Sequence, residues 1–99
     1  MLKRYHAHSV LLNVICPYLS SQQTLVVSGS CKELGEWDLE RAKPMRCTNN
    51  GEWTLLLNAG ELPERSSYKL VIVDNASGQA VHWEDGGNRV LAPRRANDA

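Results

Sequence analysis

Apolar and polar positions alternate with a period of two through most of this chain. Val10, Leu12, Val14 and Cys16 fall on one face of a strand predicted over residues 9–16, which Pro17 ends before a polar turn at 20–23. Residues 24–28 are apolar and β-branched, a second strand, and Gly29 lets the chain turn away from it. In a strand over 52–58, Trp53, Leu55 and Leu57 share a face. A strand over 45–48 precedes it across Asn49-Asn50-Gly51, and Asn-Gly between apolar stretches is a strong hairpin signal. Residues 61–66 form a loop marked by Pro63. Over 67–74, Tyr68, Leu70 and Ile72 point one way and Lys69, Val71 and Val73 the other. A turn at Asn75-Ala76-Ser77-Gly78 sends the chain back through a partner strand over 79–84, and 90–92 offers a last short strand.

No stretch carries a sustained helical period. Ser30-Cys31-Lys32-Glu33 fits a capping box, and Gly35 stands where a single helical turn would stop. A second short turn is predicted over 38–42, ended by Pro44, with Trp37 in the loop between the two. About seven short strands with a turn signal roughly every ten residues predict an all-β fold, an antiparallel sandwich or small barrel.

Composition narrows this further. The chain has 99 residues, enough for one domain with a core over roughly 9–92. Apolar residues make up 42% of it, which places it among globular chains. Three Trp and three Tyr but no Phe favour aromatic rings with a polar handle, the kind used in surface recognition. Eleven basic and eleven acidic residues cancel, so the electrostatic footprint of a nucleic-acid binder is missing. No apolar run reaches the length of a membrane-spanning helix, and residues 1–8 lack the apolar stretch of a signal peptide. Cys16, Cys31 and Cys47 are odd in number and lie in or beside apolar runs, as small hydrophobes do. A reducing compartment, hence the cytoplasm, and a monomeric state for the domain are the expectations.

The chemistry concentrates in Val81-His82-Trp83-Glu84-Asp85-Gly86-Gly87-Asn88-Arg89. A flat indole, a carboxylate and an amide stand around a two-glycine turn, where glycine admits left-handed backbone. A sugar ring offers an apolar C–H face for the indole and a rim of hydroxyls for Glu84 and Asn88. The plain alternative is a buried Trp closing a hairpin with solvated neighbours. Catalysis finds little support. Glycoside hydrolysis needs two carboxylates across a bond, whereas adjacent Glu84 and Asp85 would face opposite ways in extended chain. Glu33, Glu36, Asp38 and Glu40 crowd one short loop where they should be solvated. His6 and His8 lack companion ligands, and the cysteines are too widely spaced for a metal cluster, so neither metal nor cofactor is expected.

The ordered set Val27-Ser28-Gly29-Ser30, Leu34-Gly35-Glu36-Trp37, Met45, Trp53, Tyr68-Lys69 and Trp83 through Arg89 resembles the starch-binding domains of carbohydrate-binding module family 20. The resemblance runs from Ser9 to Leu91. It implies an immunoglobulin-like antiparallel β-sandwich that binds α-1,4-glucan without cleaving it: starch, glycogen, malto-oligosaccharide or cyclodextrin. It further implies that Trp37 and Trp83 are the stacking platforms, that Lys69 hydrogen-bonds sugar hydroxyls, and that Glu84 and Asn88 line the rim, with Arg89 completing the Asn-Arg pair. Two indoles set at an angle would follow a curved α-1,4-linked chain. Such domains are commonly attached to α-glucan-active enzymes, and free cysteines without a signal peptide favour an intracellular 4-α-glucanotransferase as the parent.

The resemblance weakens at the family's second site, which is typically lined by tyrosines. The matching neighbourhoods here hold Ser20-Ser21-Gln22-Gln23 and Thr48-Asn49-Asn50. Trp53 is the remaining candidate there, although its strand-mates Leu55 and Leu57 point its ring toward the core. A protein-interaction sandwich using the same exposed Trp residues as hot spots is the competing functional class.

Overall fold

In the computed structural model, which describes residues 9–48, 51–58, 62 and 65–91, eight strands form two antiparallel sheets. The smaller sheet pairs β1 (Ser9–Ile15) with β5 (Glu52–Asn58), and β5 with β4 (Arg46–Cys47). The larger sheet runs β3 (Lys43–Pro44), β2 (Gln23–Gly29), β6 (Ser66–Asp74), β7 (Ala80–Trp83). A further strand, β8 (Arg89–Leu91), pairs with β6 beyond β7. This is an antiparallel β-sandwich, one of the two folds left open by the alternation of apolar residues and the one implied by the family resemblance.

The period of two puts one side of each sheet in the core. Along β1, Val10, Leu12 and Val14 are half-buried while Leu11, Asn13 and Ile15 are exposed. Leu25 and Val27 of β2, Trp53 and Leu57 of β5, Leu34, Met45 and Leu62 make the buried centre, and Tyr68, Leu70 and Ile72 of β6 pack against it. Trp53 is 7% exposed, and its indole N–H donates to the Cys16 carbonyl at 3.3 Å. A buried ring with its polar handle satisfied is a core residue, so the one candidate for a second sugar platform has its faces against protein.

Several local readings need correction. Lys43–Pro44, read as the end of a turn, is a two-residue strand on the edge of β2, a place that suits a residue with no N–H to give. The first turn is a 3₁₀ turn over Lys32–Leu34 whose N-cap is Cys31, with no side-chain cap. Ser30, the expected cap, instead accepts the Ser67 N–H on its hydroxyl at 3.0 Å. The second turn, Leu39–Arg41, is capped by Asp38, whose carboxylate accepts the Glu40 N–H at 3.0 Å. Cys16 and Cys31 pack against the core as small hydrophobes do, but Cys47 is exposed. The hairpin residues Asn49 and Asn50, and most of the 61–66 loop, lie outside the described residues, as do His6 and His8.

One feature of the larger sheet departs from simple alternation. Val26, Ser28 and Val71 point away from the core, yet Val26 is 7% exposed and the other two are fully buried. The register aligns Pro44, Val26, Val71 and Trp83 in one row across four strands, with Ser28 opposite Lys69 in the next. The outer face of this sheet is therefore covered where Trp83 and Lys69 stand. The Ser28 hydroxyl beneath them has no hydrogen-bond partner among the described residues.

Two stability outcomes follow from these placements. Trp53→Ala should cost about 3–5 kcal/mol, a large part of the whole stability of such a domain, seen as a collapse of the urea midpoint. Ser28→Ala removes an unsatisfied buried hydroxyl and should raise the midpoint by the equivalent of about 1 kcal/mol. A midpoint unchanged in the first or lowered in the second would contradict the packing described.

Candidate functional site

The site residues gather around β6. On one edge of that strand β2 runs its full length; on the other, β7 and β8 lie end to end. Val71 pairs with Trp83 and Tyr68 with Arg89, so only Lys69 and Leu70 face the intervening residues 84–88. Five residues oppose two, and the excess forms a loop that stands out from the sheet edge. Gly86 takes φ +87°, the left-handed conformation that the double glycine implied.

Both ends and the middle of this loop are tied to β6. Glu84 donates its N–H to the Leu70 carbonyl at 3.0 Å and accepts the Leu70 N–H on Oε1 at 3.2 Å. Its other oxygen, Oε2, accepts from Arg89 Nε at 2.8 Å and Nη2 at 2.6 Å. The Lys69 ammonium donates to the carbonyls of Glu84 at 3.1 Å, Gly86 at 2.6 Å and Gly87 at 3.4 Å. Arg89 holds the Glu84 carboxyl below its ordinary pKa of 4.5, against an opposing push from desolvation, and Leu70 and Lys69 add to the lowering. The Arg89 guanidinium is in turn raised, first by Glu84 and less by Tyr68.

These contacts engage two of the residues expected at the sugar site. Lys69 was expected to offer its ammonium to sugar hydroxyls, but all three of its N–H donors go to loop carbonyls. Glu84 was expected at the rim, but one of its oxygens serves a backbone N–H and the other a guanidinium. A carboxyl held ionised in this way is also a poor proton donor for hydrolysis. Asn88 is exposed on the loop. Trp83, opposite buried Val71 on the outer face, keeps 38% of its surface exposed.

Trp37 is also 38% exposed, and an unusual backbone sets its place. Gly35, Glu36 and Trp37 all have positive φ, at +88°, +52° and +65°. A bulky residue in that region is strained, by about 1–3 kcal/mol. The segment is fixed by backbone bonds from Glu36 N–H to Cys31 and from Trp37 N–H to Gly29, at 3.0 and 2.8 Å. Arg41 pairs with Glu36 and Asp38, the neighbours of Trp37 on either side, at 3.2 and 3.4 Å. Gly35 is required twice over, since a Cβ there would also stand 2.7 Å from the Arg41 carbonyl oxygen. Nothing in the residue pattern announced the left-handed run beyond that glycine. Glu36 and Asp38 read as solvated acids, and only the fold brings Arg41 to them.

The anchor of Trp37, Gly29, pairs with Tyr68, while Trp83 pairs with Val71. Those points are about 10 Å apart along the strands and two strand spacings, about 10 Å, across them. A separate groove of about 390 Å³ opens on the core side of the same sheet, walled by Val14, Cys16, Leu70, Ile72, His82 and Glu84. Trp83 faces the other way.

A family model described as a starch binding domain matches residues 7–98. The chain belongs to the starch-binding domains of carbohydrate-binding module family 20. Three solved structures share the fold. A family 20 carbohydrate-binding module of the maltotetraose-forming amylase from Pseudomonas saccharophila STB07 is 20% identical, with a TM-score of 0.70 over 87% of this chain and 90% of that one. The glycoside hydrolase family 15 glucoamylase from Hypocrea jecorina is 22% identical, with a TM-score of 0.77 over 89% of this chain. Gamma-CGTase from an alkalophilic Bacillus clarkii is 25% identical, with a TM-score of 0.72 over 87% of this chain. This starch-binding domain spans 15% of the glucoamylase and 13% of the CGTase. No curated protein matches it by sequence. Membership makes the chain a non-catalytic carbohydrate-binding module of the kind ancillary to amylolytic enzymes.

The Glu84–Arg89 pair gives a pH signature. A carboxyl with a lowered native pKa contributes stability above its unfolded value, and this is lost as pH falls through the native one. Glu84→Gln should thus be less stable than the parent at neutral pH, with the gap closing below about pH 4.5 as the parent's carboxyl protonates. A gap independent of pH, measured by urea unfolding, would show that the pair carries no such linkage.

Proposed function

We propose that this domain binds α-1,4-glucan, whether starch, glycogen, malto-oligosaccharide or cyclodextrin, by stacking sugar rings on Trp37 and Trp83. The observation that carries the reading is the pair of half-exposed indoles, each fixed on a tied-down segment. A soluble domain gains by burying an indole, so two left partly open on constrained backbone are surfaces kept for a ligand. Asn88, exposed on the loop beside Trp83, supplies hydroxyl contacts. Binding serves to hold an attached α-glucan-active enzyme on its polymer, in keeping with the glucoamylase, CGTase and amylase that carry similar domains. The free thiols favour a reducing cytoplasm, and with it a 4-α-glucanotransferase as the attached enzyme.

One glucan site per domain is expected, because Trp53 is buried. Affinity for a cyclic α-glucan should lie between about 1 mM and 1 μM, with stacking worth ~1–3 kcal/mol per ring. Calorimetric titration should give a stoichiometry near one. Trp37→Ala and Trp83→Ala should each lose most of the binding while circular dichroism stays unchanged. Normal binding in either variant would misplace the site, and no binding by the parent protein, with a protein partner captured through the same Trp residues, would favour an interaction module instead.

A further inference from the structure

Arg41 reaches the two carboxylates that flank Trp37 in sequence. Its Nη2 lies 3.2 Å from Glu36 Oε1 and its Nε 3.4 Å from Asp38 Oδ2. The second carboxylate is itself oriented, since Asp38 Oδ1 accepts the Glu40 N–H at 3.0 Å. Backbone bonds close the same segment: the Asp38 N–H donates to Gly35 and the Arg41 N–H to Asp38, each at 2.9 Å. One guanidinium thus ties residues 36, 38 and 41 together, with Trp37 between the first two.

What this clamp opposes is strain. Glu36 and Trp37 hold left-handed φ of +52° and +65°, which residues other than glycine rarely adopt. Two backbone bonds, from Glu36 N–H to Cys31 and from Trp37 N–H to Gly29, work against that cost. The cost of two strained residues and the gain of two backbone bonds are of similar size, so the local balance is narrow. Half-exposed ion pairs add little to the stability of a whole domain, but little is enough to move a narrow balance. Resting on the stacking reading above, we infer that Arg41 is a positioning residue: by clamping Glu36 and Asp38 it keeps Trp37 in the left-handed conformation on which a glucan stacks. A ligand that binds one conformer loses affinity in proportion to the population of that conformer. Ions screen exposed pairs, so the affinity for an uncharged sugar becomes salt-dependent.

Titration of this chain with β-cyclodextrin at low and high sodium chloride tests the inference. Parent affinity should fall about threefold between low and molar salt, the scale of one or two exposed pairs. Arg41→Met keeps the aliphatic stem and removes the charge, and should bind about threefold more weakly at low salt with no further loss at high salt. Adding Glu36→Gly to Arg41→Met should restore most of the affinity, still without salt dependence, because glycine adopts positive φ unaided. The strong intraresidue amide–Hα Overhauser effect that marks left-handed φ at Trp37 should weaken in Arg41→Met and return in the double variant. Parent-like affinity in Arg41→Met would overturn the inference and leave the stacking reading intact. So would a double variant as weak as Arg41→Met, which would make Arg41 a direct contact, or a salt response that survives the loss of Arg41. Failure of the parent to bind, or normal binding by Trp37→Ala, would sink the stacking reading itself.

Discussion

Three consecutive residues of one strand hold the segments that carry Trp37 and Trp83 in place. Tyr68 pairs with Gly29, whose carbonyl anchors Trp37, and on its other side with Arg89. Lys69 collects the carbonyls of the 84–88 loop, and Leu70 exchanges hydrogen bonds with Glu84. Side-chain alternation sends Tyr68 and Leu70 into the core and Lys69 to the outer face. The surface is therefore as rigid as the sandwich beneath it: displacing either Trp platform means breaking bonds to a strand whose next residues are buried. A shift of one residue in the β2–β6 register would move every one of these contacts to the wrong face.

The alternating pattern was enough to locate the strands because burial enforces it. In β1 and β5 the apolar set is one-sided, and the residues read as inward are the ones found in the core. The rest follows from contacts between residues far apart in sequence. Val71 and Val26 read as outward-facing, yet they are buried, since the row containing them ends at Trp83. Nothing local distinguishes a strand lysine pointing to water from one collecting three carbonyls fifteen to eighteen residues away. The same holds for Glu84, whose carboxylate binds backbone on one side and Arg89 on the other. Trp37 was legible as a candidate platform because an indole after a glycine turn is hard to account for as core, whereas Trp83 could equally have been a buried ring closing a hairpin and became a candidate through the ordered set of motifs around it. The backbone strain at Trp37 was not legible, because left-handed φ in a bulky residue comes from the bonds that impose it.

Electrostatics and strain contribute differently to the two platforms. Beside Trp83 the Glu84 carboxylate is 23% exposed and paired to a guanidinium through two nitrogens, a geometry that keeps its value in moderate salt. Beside Trp37 the Arg41 pairs are about half exposed at both partners and contribute little energy. There most of the work of holding a left-handed triplet falls on the backbone bonds to Cys31 and Gly29 and on the glycine that opens it. One platform is held by charge over a covered sheet face, the other by backbone hydrogen bonds against strain.

On the proposed reading, fixing both platforms before any ligand arrives has a thermodynamic reason. A sugar hydroxyl bonded to a protein group in water exchanges one set of hydrogen bonds for another, so each such contact adds little net affinity. Stacking adds a modest amount per ring. Against these gains stand the lost motion of the ligand and of any protein segment that must become ordered. With so small a surplus, a loop ordered only on binding would consume most of it. The chain instead meets the ordering cost during folding: Gly35 and the Arg41 contacts at one platform, Lys69, Glu84 and Arg89 at the other. Charged groups that would make poor net contacts with a sugar, because water competes for them, here act on the backbone they hold.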